Sequence, residues 1–239
     1  MATKQTELEG IGSVTLYKRR GNRSLRLSIG STGEVRVSMP YWLPYKAGEK
    51  FALSKLDWIS EHRLPPRTHL QHGQAIGKAH HLHITPSAQA TRVSTRLKDY
   101  QIHINHPISY GYDHREVQKA AHAAAIRALR KEAEQLLPMR LRQLARQEEF
   151  TFKSVSVKQM KSRWGSCSAH QEIVLNLYLM QLPWHLIDYV LMHELTHTKV
   201  MQHGAPFWQE MERHVPHAKR LRKEISEYHP VLVAASGFS

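Results

Sequence analysis

Residues 182–211 read LPWHLIDYVLMHELTHTKVMQHGAPFWQEM, and the placing of histidine within the apolar pattern of this stretch decides the fold. Leu186, Val190, His193 and His197 follow 4-3-4 spacing and so share one stripe of a helix predicted over about 183–200, with a further helix over about 205–227. That stripe would otherwise be the buried face, yet two histidines interrupt it. Buried imidazoles without partners cost free energy, whereas one metal ion satisfies both while their other ring nitrogens bond to nearby acceptors. The segment His193-Glu194-Leu195-Thr196-His197 sets the two rings one helical turn apart, as a single metal requires, and puts Glu194 where a general base for an activated water belongs. The competing account is a pair of hydrogen-bonded core histidines. Eighteen histidines among 239 residues make chance matches to a metal motif appreciable, so the flanking sequence has to carry the argument.

A catalytic zinc takes three protein ligands and leaves a fourth position open. His203 lies six residues beyond His197, past the expected helix end at Val200–Gln202 and before Gly204 and Pro206, which can open a new helix. The resulting HExxHxxxxxH spacing equals the metzincin pattern, but Val200 stands where that pattern uses glycine for a tight turn, which argues against metzincin membership. Glu210, Glu212 and His214 compete with His203 as the third ligand. The single cysteine, Cys167, excludes an internal disulfide framework and a thiolate-rich zinc site. The ligands must therefore be nitrogen and oxygen, and Cys167 itself reads as a small buried residue.

Upstream, SVTLYKRR, SLRLSIG and EVRVSMP alternate with period two, and breaks at Gly21-Asn22 and at Ser31–Gly33 imply two hairpins. Phe51, Leu53, Leu56, Trp58 and Ile59 suit a helix closed by Pro65-Pro66, and HLHI, RVSTRL and YQIHIN then return to strand text. From about 114 to 150 strong helix formers dominate, with Pro138 expected to break or kink the run and an arginine-rich outer face expected to be solvated. Strands are predicted at about 151–158 and 172–180. The division expected is a β-rich N-terminal region over 1–112, a catalytic region over 113–229 and a tail over 230–239.

No stretch approaches the roughly 20 uninterrupted apolar residues of a membrane helix, and MATKQTELEG lacks the pattern of a signal peptide. A cytoplasmic chain without a membrane partner is the expectation. The formal charge of +14 favours association with nucleotides, nucleic acid or other polyanions, and says nothing about chemistry.

The segment Arg163-Trp164-Gly165-Ser166-Cys167-Ser168 reads physically as a glycine-centred turn between two strands. Arg163 is aimed at the site, where it could bind a substrate carboxylate or phosphate or stabilise an oxyanion, with Trp164 packed beneath. If the strand over 172–180 edges the cleft, a peptide could add to it as a further strand. Together with Leu175-Asn176, Leu182-Pro183, Asp188-Tyr189-Val190 running into HELTH, and His203 with Phe207-Trp208, the RWGSCS segment resembles the YgjP-like metallopeptidase family, whose relatives include SprT-like and WLM-type metalloproteases. The match is dense over about 160–217 and extends loosely to RLRLSIGSTGEVRVSMP and GQAIGKAHHLHI. Thr196 in place of a common alanine and Gln202-His203-Gly204 in place of Asn-His-Ser depart from it without removing a ligand or the base.

The resemblance implies an α+β fold with a zincin-like core, one Zn2+ ion held by His193, His197 and His203, and Glu194 as the catalytic residue. Arg163 is a candidate catalytic residue, and Asn176 and Trp164 are candidate substrate-binding residues. The leading expectation is hydrolysis of a peptide or protein substrate by zinc-activated water with Glu194 as general base. One alternative uses the same site on nucleoside triphosphates; another is a nucleic-acid-binding protein whose zinc is structural.

Overall fold

The computed structural model describes residues 2–30, 33–62 and 69–232. The expected break at Ser31-Thr32, the Pro65-Pro66 stop and the last residues of the tail lie outside them. The chain divides into two compact units, 1–68 and 69–239. Residues 69–112 thus belong with the long helix that follows them. No helix among the described residues is long and apolar enough to cross a membrane.

In the first unit, strands β1 (Thr3–Leu8), β2 (Gly12–Arg19), β3 (Arg26–Ile29) and β4 (Val35–Pro40) form one sheet in the order β1-β2-β4-β3. Helices α1 (Tyr45–Leu53) and α2 (Leu56–His62) follow. The alternation is as read: Val14, Leu16, Val35, Val37 and Met39 are fully buried on one face with Ala52. The topology corrects the two expected hairpins. Of the two, only the β3–β4 hairpin forms; β2 runs parallel to β4 and makes its hairpin with the preceding strand β1 instead.

In the second unit, β5 (Ala75–Ile76), β6 (His80–Ser87), β7 (Ser94–Lys98) and β8 (Gln101–Pro107) form a sheet of order β5-β6-β8-β7. Its face with Leu82, Ile84, Ile102 and Ile104 is buried in one core with Val117, Ala121, Ala125, Ala128 and Leu129 of α3 (Arg115–Gln147). Pro138 does not break α3 as expected; the chain runs through it as one helix of 33 residues. Its missing N–H removes one rung, while Leu137 and Leu141 on either side are fully buried. The packing of that face outweighs the lost bond.

A buried carboxylate joins α3 to the turn before β6. Glu132 accepts backbone N–H bonds from Lys78 (2.7 Å), Ala79 (3.0 Å) and His80 (3.2 Å), and the His80 Nδ1–H donates to it as well. Gly77, at φ +68°, has no room for a Cβ, which would lie 2.3 Å from the Glu132 carboxylate. Glu132→Gln sets an amide N–H2 against these donors and is expected to cost about 2 kcal/mol, read as a lowered denaturation midpoint at unchanged m. A midpoint equal to that of the parent would remove this role.

Three strands complete the second unit: β9 (Ser154–Lys158), β10 (Gly165–Cys167) and β11 (Glu172–Asn176), in the order β10-β11-β9. Two expectations change here. Gly165–Cys167, the middle of the RWGSCS segment, forms a strand rather than a turn, and the strand expected to reach 180 ends at Asn176, with Leu177–Gln181 forming a 3-10 turn. Leu177, Tyr178, Leu179 and Met180 are all buried, so no period-two surface exists beyond 176. Helices α4 (Trp184–Thr196), α5 (Ala205–His214) and α6 (Ala218–Ile225) follow, the last two separated at His217, which adopts φ +65°. The architecture is mixed α+β.

Candidate metal centre and active site

Helix α4 starts directly after Pro183 and buries Leu186, Ile187, Val190, Leu191 and Leu195. Arg140 of α3 fastens it with a bidentate pair to Asp188, Nε to Oδ1 at 2.8 Å and Nη2 to Oδ2 at 2.6 Å. The stripe carrying His193 therefore has a fixed rotation about the helix axis. After Thr196 the chain turns through Thr198–Val200, whose N–H groups donate to Leu195 and Thr196 carbonyls. No residue of this turn has positive φ, which explains why valine is tolerated at position 200. The chain then returns His203 to the helix end before Pro206 opens α5.

The result is a convergence of three Nε2 atoms: His193 to His197 at 3.2 Å, His197 to His203 at 3.1 Å and His193 to His203 at 3.0 Å. Phe207 packs against this cluster, with its ring centroid 4.6–4.9 Å from those of the three imidazoles. The competing ligands lie elsewhere. Glu210 pairs with Lys199 and Arg213, His214 with Glu148, and Glu212 accepts from the backbone of Lys219.

This cluster fits a metal ion. The His197 Nδ1–H donates to the Val200 carbonyl at 3.1 Å, which fixes the tautomer and turns the Nε2 lone pair inward. Burial, then the charges of His197, His203 and Arg222, push His193 down to about 3, and burial also lowers His197. His193 and His197 are thus held neutral, and their Nε2 atoms meet that of His203 at one point. Lone pairs gathered in this way repel unless a cation lies between them. Zinc–nitrogen bonds of about 2.0–2.1 Å in tetrahedral array set nitrogens roughly 3.3 Å apart, close to what is found.

Glu194, one residue after the first histidine, is 4% exposed, and its Oε2 has no hydrogen-bond partner among the described residues. Burial pushes its carboxyl up to about 8, with Arg163 acting in the opposite direction. It faces a cavity of about 520 Å3 lined also by the histidines, Arg163, Trp164, Gly165, Trp208 and Arg222. Of the residues singled out in the sequence, Arg163 and Trp164 therefore reach the site.

Asn176 does not. It is fully buried, its Nδ2 donating to the carbonyls of Met160 and Arg163 (2.8 Å each) and its Oδ1 accepting from Met160 and Tyr178 N–H groups. It sets the loop that presents Arg163 and touches no substrate space. Cys167 lines the cavity, but burial and then Glu194 raise its thiol to about 11, so it stays protonated.

Arg222 was missed. Its guanidinium lies 4.9 Å from the Trp208 ring centroid, inside the cavity wall. A signal was available: Ala218 and Ile225 are the buried residues of α6, and Arg222 lies on their stripe at i+4 and i−3.

Three converging imidazoles, with a carboxylate from the helix that carries the first of them, form a site beneath a small sheet that can hold a metal ion beside an acid–base group. The model of the YgjP-like metallopeptidase domain matches residues 23–228, and the chain belongs to the YgjP-like metallopeptidase family. No curated protein matches it in sequence. Among solved structures, it is similar to the metallopeptidase zymogen abylysin of Pyrococcus abyssi, at 24% identity over 38% of this chain and 91% of that one, with a TM-score of 0.35. It is also similar to the metallopeptidase zymogen jannalysin of Methanocaldococcus jannaschii, at 21% identity over 37% and 92%, with a TM-score of 0.34.

Proposed function

We propose that the chain is a zinc-dependent peptidase in which His193, His197 and His203 hold one zinc ion and Glu194 is the general base. The observation that carries this reading is the unpartnered Glu194 Oε2 in a cavity wall shared with three converging Nε2 atoms. An all-imidazole set without thiolate suits zinc, and three ligands leave a position open. Zinc bound there would supply Lewis acidity toward a scissile carbonyl and a water molecule.

The remaining work falls to the chain. Glu194 takes the proton of water as its oxygen attacks the carbonyl carbon, then delivers that proton to the amine nitrogen as the C–N bond breaks. Strand β10 pairs on one side with β11, and among the described strands nothing pairs with its other edge, so an extended peptide can add there beside Glu194. This moves the expected strand addition from β11, which is central, to β10. Arg163 stands where it can hold a substrate carboxylate or the developing oxyanion.

Chelator-stripped protein is expected to hydrolyse no unfolded protein substrate, and one equivalent of zinc should restore turnover. Full activity in protein shown by elemental analysis to be metal-free would overturn the reading. One observation favours a second substrate class: Arg163 and Arg222 both line the cavity, and two guanidiniums suit a polyphosphate. In that reading the same Glu194 takes the proton of water attacking phosphorus. Zinc-loaded protein offered unfolded proteins and nucleoside triphosphates in parallel separates the two by whether peptides or nucleotide products appear.

A further inference from the structure

The first unit carries a surface for which the hydrolytic site has no use. Tyr17–Arg26 contains five basic residues, Lys18, Arg19, Arg20, Arg23 and Arg26, and no acidic one. The end of β2 sets part of this run beside the end of β4, because Arg19 pairs in register with Pro40 and Tyr41-Trp42 follow immediately. Cations and rings then interleave. Lys18 Nζ lies 4.8 Å from the Tyr45 ring centroid and 5.7 Å from that of Tyr41, while Arg20 approaches Tyr41 at 5.9 Å and Arg19 approaches Tyr17 at 5.5 Å.

Among the described residues no carboxylate pairs with Lys18, Arg19 or Arg20. Tyr41 and Trp42 are 55% and 68% exposed, and among the described residues no ring or cation packs against Trp42. Two large adjacent aromatics left in solvent need an account, since burying them would release apolar area. They cap a sheet whose core is already closed by α1 and α2, so further folding within this unit does not cover them.

We infer that this end of the β1-β2-β4-β3 sheet binds single-stranded nucleic acid, with Tyr41 and Trp42 stacking on unpaired bases and Lys18, Arg19 and Arg20 holding the phosphates. The ligand class follows from the combination. Unpaired cations require an anion of repeating charge, and exposed ring faces require flat partners that a duplex keeps stacked internally. An acidic protein satisfies the charges and leaves the rings idle. The contact is sequence-tolerant, because every base offers a ring face.

The test uses the full chain and a fluorescein-labelled 15-mer of deoxythymidine, followed by anisotropy at about 50 and 200 mM salt. Binding is expected, weakening steeply with salt, and the matching duplex should bind at least several-fold more weakly. Trp42→Ala is expected to weaken binding about tenfold with the salt slope unchanged, and R19A/R20A to weaken it and flatten the slope. All of these residues lie on the exposed end of the sheet, and circular dichroism confirms that each variant folds. Equal affinity of Trp42→Ala and parent, equal affinity for duplex, or binding to phosphatidylserine vesicles but not to the 15-mer would each overturn the inference. None of these readouts depends on the metal centre.

Discussion

Glu194→Gln is expected to keep one metal ion per chain and the parent's thermal transition, and to lose hydrolysis by at least about 10^3-fold. The amide matches the carboxylate in shape, so the packing against Gly165 and the burial of the side chain are retained. It has no basic oxygen able to take a proton from water and return it to a leaving group. General acid–base work is worth about 10^2 to 10^4 in rate, and here one group serves in both directions. Elemental analysis, a melting curve and kcat/KM on the same preparation check the three parts separately. Turnover within tenfold of the parent, with metal retained, would take Glu194 out of the mechanism. His193→Ala differs in kind, because it removes a ligand and should lose metal and activity together.

The helix carrying His193 and His197 was legible because polar residues interrupt its apolar periodicity there. Leu186 and Val190 lead into His193 and His197 on one stripe, and a polar residue type repeated on an apolar stripe asks for a partner whatever the fold. His203 was legible in part: the glycine–proline signal gave the return of the chain and favoured the imidazole beside that turn, with Glu210, Glu212 and His214 as competitors. The ion pairs that occupy Glu210 and His214 in the structure set them apart.

Tertiary packing decided the rest. Pro138 stays inside a continuous helix because Leu137 and Leu141 are buried beside it. The run from Leu177 to Met180 reads as strand because alternate residues are apolar, yet all four are buried, a condition that a tight 3-10 turn between sheet and helix meets equally well. Asn176 looked like a site residue because it stands among motif residues. Its four hydrogen bonds show that it acts on the loop behind Arg163. The parallel pairing of β2 with β4 had no local signal at all, since strand partners far apart in sequence leave no mark on turn composition.

Gly165 supplies the second large effect, and it tests the placing of Glu194 rather than its chemistry. A Cβ built on Gly165 would stand 2.5 Å from Glu194 Oε1, 2.7 Å from its Cγ and 2.8 Å from its Cδ. The backbone there is not in the left-handed region, so alanine meets no conformational penalty and the whole effect is contact with one side chain. That side chain cannot simply yield. Its Cγ is as close as its carboxylate, and 4% exposure leaves it little free space. Gly165→Ala is therefore expected to move the carboxylate by an ångström or more and to lower kcat by about 10^2-fold, with metal content unchanged. Gly204→Ala is the matched control, since its Cβ would meet only Pro206 Cδ, at an ordinary 3.6 Å, although it lies next to His203. Near-parent activity in Gly204→Ala with a hundredfold loss in Gly165→Ala places the constraint on the carboxylate. Near-parent activity in both would mean that β10 can shift without disturbing Glu194, and the close packing of the two would then have no part in catalysis.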